Sequence, residues 1–311
     1  MVVRRKDLRR GVSLLKRGDE RMFHGAIVAT ITPFRNGKLD ASALKKLVEF
    51  QIRNGTDGIV PCGTTGESAT LAYEEHERVI DLVLEAAGGR VPVIAGTGSN
   101  NTKEAVLLTR YAKKAGANAA LVITPYYNKP TQAGLIAHFR EVAASADIPL
   151  ILYNVPSRTG VNMTADTVAR LSEVKNIVGV KEASGNLAQV CDILKMTPRT
   201  FCVLSGDDGL FFPMLALGAK GVISVVSNVA PREMADLYDA FAMGEVARAR
   251  EIHFRLWPLM NALFIETNPI PAKTALAMMG KIREEFRLPL CGMADANRKV
   301  LAKVLSDLKI V

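Results

Sequence analysis

Residues 177–184 read Ile177-Val178-Gly179-Val180-Lys181-Glu182-Ala183-Ser184, a short β-branched apolar run that passes directly into a lysine. A run of this kind, apolar without polar alternation, is what a strand covered on both faces requires, as in a parallel sheet. Working outward, the same unit recurs. Comparable runs occupy 26–31, 58–61, 91–95, 119–123, 149–153, 177–180, 201–204 and 221–226, and their starts are separated by 32, 33, 28, 30, 28, 24 and 20 residues. That spacing is the length of one βα unit with its loops. The stretches between them carry helical periodicity: Leu135, Ile136, Phe139, Val142 and Ala143 fall at i, i+1, i+4, i+7 and i+8, one face of a helix turned toward the sheet.

Eight βα units can form an open doubly wound sheet or close into a barrel. The count favours closure, because eight strands enclose an interior that side chains just fill. The fold class expected is therefore α/β, a (β/α)8 TIM barrel with a C-terminal helical extension, whose helices are placed at about 230–243, 246–264, 271–280 and 294–308. The domain reading is a basic, disordered N-terminal extension at 1–21, a barrel at 22–243 and a helical segment at 244–311.

Length and composition agree with this reading. The chain has 311 residues, 49% hydrophobic and 23% charged, which is the balance of a soluble protein with a large core and excludes disorder throughout. The formal net charge of +9 is concentrated. Residues 1–21 hold eight basic groups against three acidic ones, a local +5 that leaves +4 for the body. Three readings of that stretch stand: an upstream extension before a natural start at Met22, a tail for a polyanion, and a targeting leader. No window of about 18 apolar residues exists, so no membrane span is expected. The four cysteines are far apart, with no Cys-x-x-Cys and no His cluster. Neither a metal site nor a disulfide framework is indicated, and a cytoplasmic setting fits.

In such barrels chemistry sits where strands end. Lys181 leaves an apolar strand end, where desolvation disfavours the ammonium and favours a neutral, nucleophilic amine. An ion pair with Glu182 is the competing reading. Gly63-Thr64-Thr65-Gly66-Glu67-Ser68 is a tight turn at the start of the next helix, with hydroxyls and N–H groups suited to a carboxylate; read alone, it is weak evidence and reads first as an ordinary loop. Tyr153 and Tyr127 are both expected to point into the mouth, as proton carriers or as packing aromatics. Arg158, stiffened by Pro156, can grip a second carboxylate or lie on the surface.

Taken together, GTTGES (63–68), PYYNKP (125–130), YNVPSRTG (153–160), GVKEASGN (179–186), LSGDD (204–208), GVISV (221–225) and NPIPAK (268–273) resemble the dihydrodipicolinate synthase branch of the pyruvate-dependent class I aldolases, a family that also includes N-acetylneuraminate lyase. The match runs from about Phe23 to the C-terminus. The resemblance implies that Lys181 forms an imine with pyruvate and that Thr64, Tyr127 and Tyr153 relay protons, Tyr127 reaching across a tight dimer interface. Thr65 would bind the pyruvate carboxylate, Gly206 and Ile223 would line the site through backbone groups, and Arg158 would bind the carboxylate of aspartate semialdehyde. The arginine at 158 and the Thr at 64 favour the synthase over sialic-acid lyases, while another pyruvate-dependent aldolase, of the N-acetylneuraminate or 2-keto-3-deoxy acid type, stays open as the alternative. A homo-oligomer, a dimer of dimers, is implied, with no cofactor. A feedback site for L-lysine would map onto Ser68, Ala69, His76, Asn100, Glu104 and Tyr126, with Tyr73 standing where the best known bacterial members carry His.

Two other classes compete on residues alone: a non-catalytic barrel whose basic tail binds nucleic acid or another polyanion, and a phosphate or flavin barrel. The second would favour a Gly-rich anion loop after strands seven and eight. Asp207 and Asp208 suit phosphate poorly.

Overall fold

The computed structural model describes residues 23–311, so the expectations for the basic extension at 1–21 concern residues outside those described. Eight strands form one sheet: β1 Gly25–Ala29, β2 Gly58–Val60, β3 Ile94–Gly96, β4 Ala119–Ile123, β5 Leu150–Asn154, β6 Ile177–Glu182, β7 Cys202–Ser205 and β8 Gly221–Ser224. Every pairing between them is parallel, in the order β2-β1-β8-β7-β6-β5-β4-β3. The two ends of that order meet through a parallel bridge between Ile59 and Val93, with Ile59 N–H donating to Pro92 O at 3.0 Å and Gly96 N–H to Pro61 O at 2.9 Å. The sheet closes on itself, leaving no open edge.

The helices that follow the strands are α1 Ala41–Arg53, α2 Tyr73–Ala87, α3 Thr102–Ala115, α4 Gln132–Ser145, α5 Ala165–Ser172, α6 Leu187–Met196, α7 Phe211–Leu217 and α8 Pro231–Ala242. Three more complete the chain: α9 Val246–Ala262, α10 Ile270–Met278 and α11 Asp295–Asp307. Starts are fixed locally, for example by Asp40 accepting from Ala43 N–H before α1, and by Asn186 accepting from Ala188 and Gln189 N–H before α6. On α4 all five residues of the apolar stripe are buried.

The barrel interior is filled by Ile27, Val60, Ile94, Leu121, Ile151, Leu204 and Ile223, all buried. A second apolar layer lies between strands and helices. A third joins barrel residues such as Ala26, Phe211 and Val222 to Leu256, Leu276 and Leu301 of the C-terminal helices, which therefore cover the barrel rather than trail from it.

Differences from the expected elements have local causes. The third run starts its strand late, at Ile94: Pro92 has no N–H to give to the ladder, and the Val93 N–H is taken by Asn118 Oδ1 at 2.8 Å. The eighth ends early, at Ser224, because the Asp208 carboxylate takes the N–H groups of Val225 and Val226 at 2.9 and 3.0 Å and turns the chain. A two-stranded ribbon, Phe34–Arg35 with Lys38–Leu39, and a one-turn helix at Pro156–Thr159 were not anticipated.

Candidate active site

Lys181 pairs in register with Tyr153 on one side and Leu204 on the other. It is buried, and its Nζ stands 4.1 Å from the centroid of the Tyr153 ring. The ion pair with Glu182 does not form. Strand alternation sends the Glu182 carboxylate the other way, where it accepts from Asn154 Nδ2 at 3.0 Å, Ser184 N–H at 2.7 Å and Gln189 Nε2 at 3.3 Å. Among the described residues no carboxylate lies within ion-pair distance of Lys181 Nζ. A side chain at Gly206 would bring its Cβ to 3.1 Å from Lys181 Cε and 2.6 Å from Ala183 Cβ, so the absence of one there makes room for the lysine.

Lys181 opens into a cavity of about 670 Å³ at the strand ends, also lined by Thr64, Thr65, Tyr153, Arg158, Gly206 and Val225, and walled by Trp257 and Phe264 from the C-terminal part of the chain. Thr65 is buried, and its Oγ1 accepts from Asn268 Nδ2 at 2.9 Å. The turn carrying Thr64 and Thr65 does not start the next helix, as expected from sequence. It forms a short 3-10 turn at Thr64–Gly66 and a second at Ser68–Thr70, and α2 begins only at Tyr73. Arg158, in the one-turn helix after β5, donates from Nη2 to Asn268 O at 3.3 Å, which holds the guanidinium at the cavity mouth.

One expectation about direction needs correction. Tyr127 does not point into the mouth of its own barrel: it is 88% exposed, absent from the cavity wall, and held at φ 71° by the loop after β4. The Ile223 side chain is fully buried in the barrel interior, so only its backbone is available to the site, and Val225 lines the cavity wall.

Ser68, Ala69 and Tyr126 line a second cavity of about 350 Å³ that shares Thr64, Tyr153 and Arg158 with the first. Glu104 accepts from Ser99 Oγ at 2.6 Å and from Asn101 Nδ2 at 3.3 Å. Tyr73 has its pKa raised by partial desolvation and by Glu104 beside it. Asn100 O accepts from Asn128 Nδ2 at 2.9 Å. His76 is buried behind Cys62 and Gly96 of that cavity: its Nε2 lies 2.8 Å from Gly96 O, and burial lowers its pKa.

Several residues that hold the site were missed. Asn154 is fully buried and ties β5 to β6 through Glu182. Asp208 is buried, which raises its pKa to about 6. Glu67 and Lys273 form a fully buried ion pair at 2.5 Å. The letters were present in the motifs (the E of GTTGES, the N and K of NPIPAK), but nothing local shows that residues about 200 positions apart meet.

The model of the Dihydrodipicolinate synthetase family matches residues 22–308. A 4-hydroxy-tetrahydrodipicolinate synthase of Syntrophus aciditrophicus (strain SB) is 58% identical over 290 residues, 93% of this chain and 100% of the relative. Among solved structures, dihydrodipicolinate synthase from Aquifex aeolicus is similar at TM-score 0.91 and 55% identity, covering 93% of this chain and 99% of that one. The enzyme from Cyanidioschyzon merolae, described with lysine bound, is similar at TM-score 0.91 and 42% identity, covering 93% of this chain and 100% of that one. Eight parallel strands, a buried lysine at a strand end with no carboxylate in ion-pair distance among the described residues, and near-complete coverage of these relatives converge, and the chain belongs to the dihydrodipicolinate synthetase family.

Proposed function

We propose that the chain condenses pyruvate with L-aspartate 4-semialdehyde to give 4-hydroxy-tetrahydrodipicolinate, in lysine and diaminopimelate biosynthesis, and that Lys181 is its nucleophile. The observation that carries this reading is the placement of Lys181: buried, without a carboxylate partner among the described residues, over the face of Tyr153 and in the wall of a cavity that also holds Thr64, Thr65 and Arg158.

In the proposed sequence Lys181 Nζ adds to the pyruvate ketone, and loss of water gives the imine. A proton leaves C3, the resulting enamine attacks the aldehyde carbon, and the amino group of the second substrate then displaces Lys181 as the ring closes. Thr64, Tyr153 and Tyr127 carry the protons. Thr65 holds the pyruvate carboxylate, Arg158 the carboxylate of the second substrate, and the chain at Gly206 and Ile223 forms the floor. Tyr127, facing away from its own cavity, acts in the site of a second copy, so the active unit is a homo-oligomer, a dimer of dimers in the cytoplasm. Borohydride reduction with pyruvate traps an adduct on Lys181; no adduct, or one that persists in Lys181→Ala, would remove this mechanism.

L-lysine is proposed as an inhibitor bound near Ser68, Ala69, His76, Asn100, Glu104 and Tyr126. The lysine-bound relative and the cavity shared by Ser68, Ala69 and Tyr126 support this. Initial rates that do not change in millimolar L-lysine would count against it.

A further inference from the structure

The turn that carries Thr64 and Thr65 is fastened to a distant part of the chain at two points. The first is the Glu67–Lys273 pair, 2.5 Å between Nζ and Oε1, with both side chains at 0% exposure. The Lys273 ammonium also lies 4.4 Å from the Phe34 ring centroid, and Glu67 Oε2 accepts the Arg287 N–H at 3.3 Å. Glu67 itself sits at φ 53°, a left-handed conformation that a non-glycine residue adopts only when its surroundings hold it there. Desolvating two full charges offsets most of what their attraction returns, so a buried pair of this kind contributes little net stability and is better explained by what it holds in register.

The second point is Asn268, from the segment that leads into Lys273. Its Nδ2 donates to Thr65 Oγ1 at 2.9 Å, while its main-chain oxygen accepts from Arg158 at 3.3 Å. With the amide nitrogen turned toward Thr65, the Thr65 oxygen is the acceptor and its hydroxyl proton is left to donate elsewhere, while Asn268 Oδ1 is buried with no partner among the described residues. Thr65 lines the cavity that also holds Lys181.

We propose that Glu67, Lys273 and Asn268 are positioning residues: the buried pair locks the 64–67 turn against the 268–273 segment, so that the Asn268 amide fixes Thr65 with its hydroxyl proton directed at the pyruvate carboxylate. This rests on the reading that Thr65 grips that carboxylate while Lys181 forms the imine.

The test is borohydride trapping against pyruvate concentration, with intact-mass readout, in the full chain. Glu67→Gln combined with Lys273→Met replaces the pair by uncharged groups of similar size and leaves no buried charge unpaired. The doubly substituted chain is expected to reach the native extent of trapping at saturating pyruvate, with half-saturation raised at least about tenfold. In a Thr65→Val background the same two changes add nothing further. Half-saturation within twofold of native, or an equal rise with and without the Thr65 hydroxyl, overturns the proposal. The same cycle with Asn268→Ala and Thr65→Val decides the question if the neutral pair does not fold: a rise that vanishes in the Thr65→Val background supports it, and any other result overturns it. A native chain that traps no pyruvate, or a Thr65→Val chain that traps like the native, removes the underlying reading of the site and this inference with it. Either result is distinct from a working Thr65 that is indifferent to the clamp.

Discussion

At the scale of single residues, what distinguishes Lys181 is what does not touch it. Its neighbour in sequence, Glu182, is occupied by Asn154, Ser184 and Gln189, and Gly206, just past the end of β7, has no side chain. Glu182 is thus removed as an ion-pair partner for the lysine. Gly206 admits the lysine stem at van der Waals contact. Gly206→Ala would place a methyl at 2.6 Å from Ala183 Cβ and 3.1 Å from Lys181 Cε, so the chain at Ala183 must shift and the lysine stem must give by a few tenths of an ångström. Imine trapping on Lys181 should therefore slow in Gly206→Ala, by less than the roughly hundredfold that a misplacement of about 1 Å can cost, measured by borohydride reduction and intact mass, while circular dichroism stays native.

At the scale of elements, the ends of the strands are set by side chains reaching from neighbouring units. Asn154 closes β5, donates to Glu182 at the end of β6 and accepts the Met163 N–H at 2.9 Å. Removing it leaves a buried carboxylate short of a donor and a buried N–H without an acceptor, each a larger loss than an ordinary hydrogen bond. Asn154→Ala should lower the free energy of urea unfolding by about 2 to 3 kcal/mol, with an unchanged denaturant slope. Asn228 plays the corresponding part at the β1–β8 seam, accepting from Ile31 N–H and donating to Ala29 O. The same logic explains why β8 is shorter than its apolar run: Asp208 offers Val225 and Val226 an acceptor that competes with the ladder.

At the scale of the whole molecule, burial of titratable groups couples the fold to pH in two opposing directions. Burial lowers His138 from 6.5 to about 4, and it lowers His76 and His253 as well. A depressed histidine contributes stability that is present above 6.5 and is lost as pH falls through the folded pKa. Asp208 works the other way: burial raises it from 3.8 to about 6, so the unfolded chain releases its proton first and stability is lost as pH rises through that window. Asp208→Asn keeps an acceptor for the two N–H groups and removes the titration. The drop in unfolding free energy between about pH 7 and about pH 4.5 should then be larger in the variant than in the native chain by about 2 kcal/mol, read from urea melts at both pH values. The assembly can be tested at this scale too. If Tyr127 serves a second copy, mixing inactive Lys181→Ala with impaired Tyr127→Phe should yield more activity than either alone, because one site of each mixed dimer is then intact. No gain on mixing would place Tyr127 outside the shared site.

The sequence by itself determined the repeat: eight apolar runs at unit spacing, the helix faces between them, and the placement of Lys181, Thr64, Thr65, Tyr153 and Arg158 at strand exits, because periodicity and composition act over a few residues. Tertiary structure decided the rest. Which way Tyr127 turns, that the Ile223 side chain is buried in the barrel interior, that Glu182 is unavailable to Lys181, and that Glu67, Asn268 and Lys273 meet behind Thr65 all depend on contacts between segments up to about 200 residues apart. A buried carboxylate looks the same in sequence as a solvated one. Only closure of the barrel, with the C-terminal helices laid over its mouth, determines which charges are taken out of water and which partners are there to receive them.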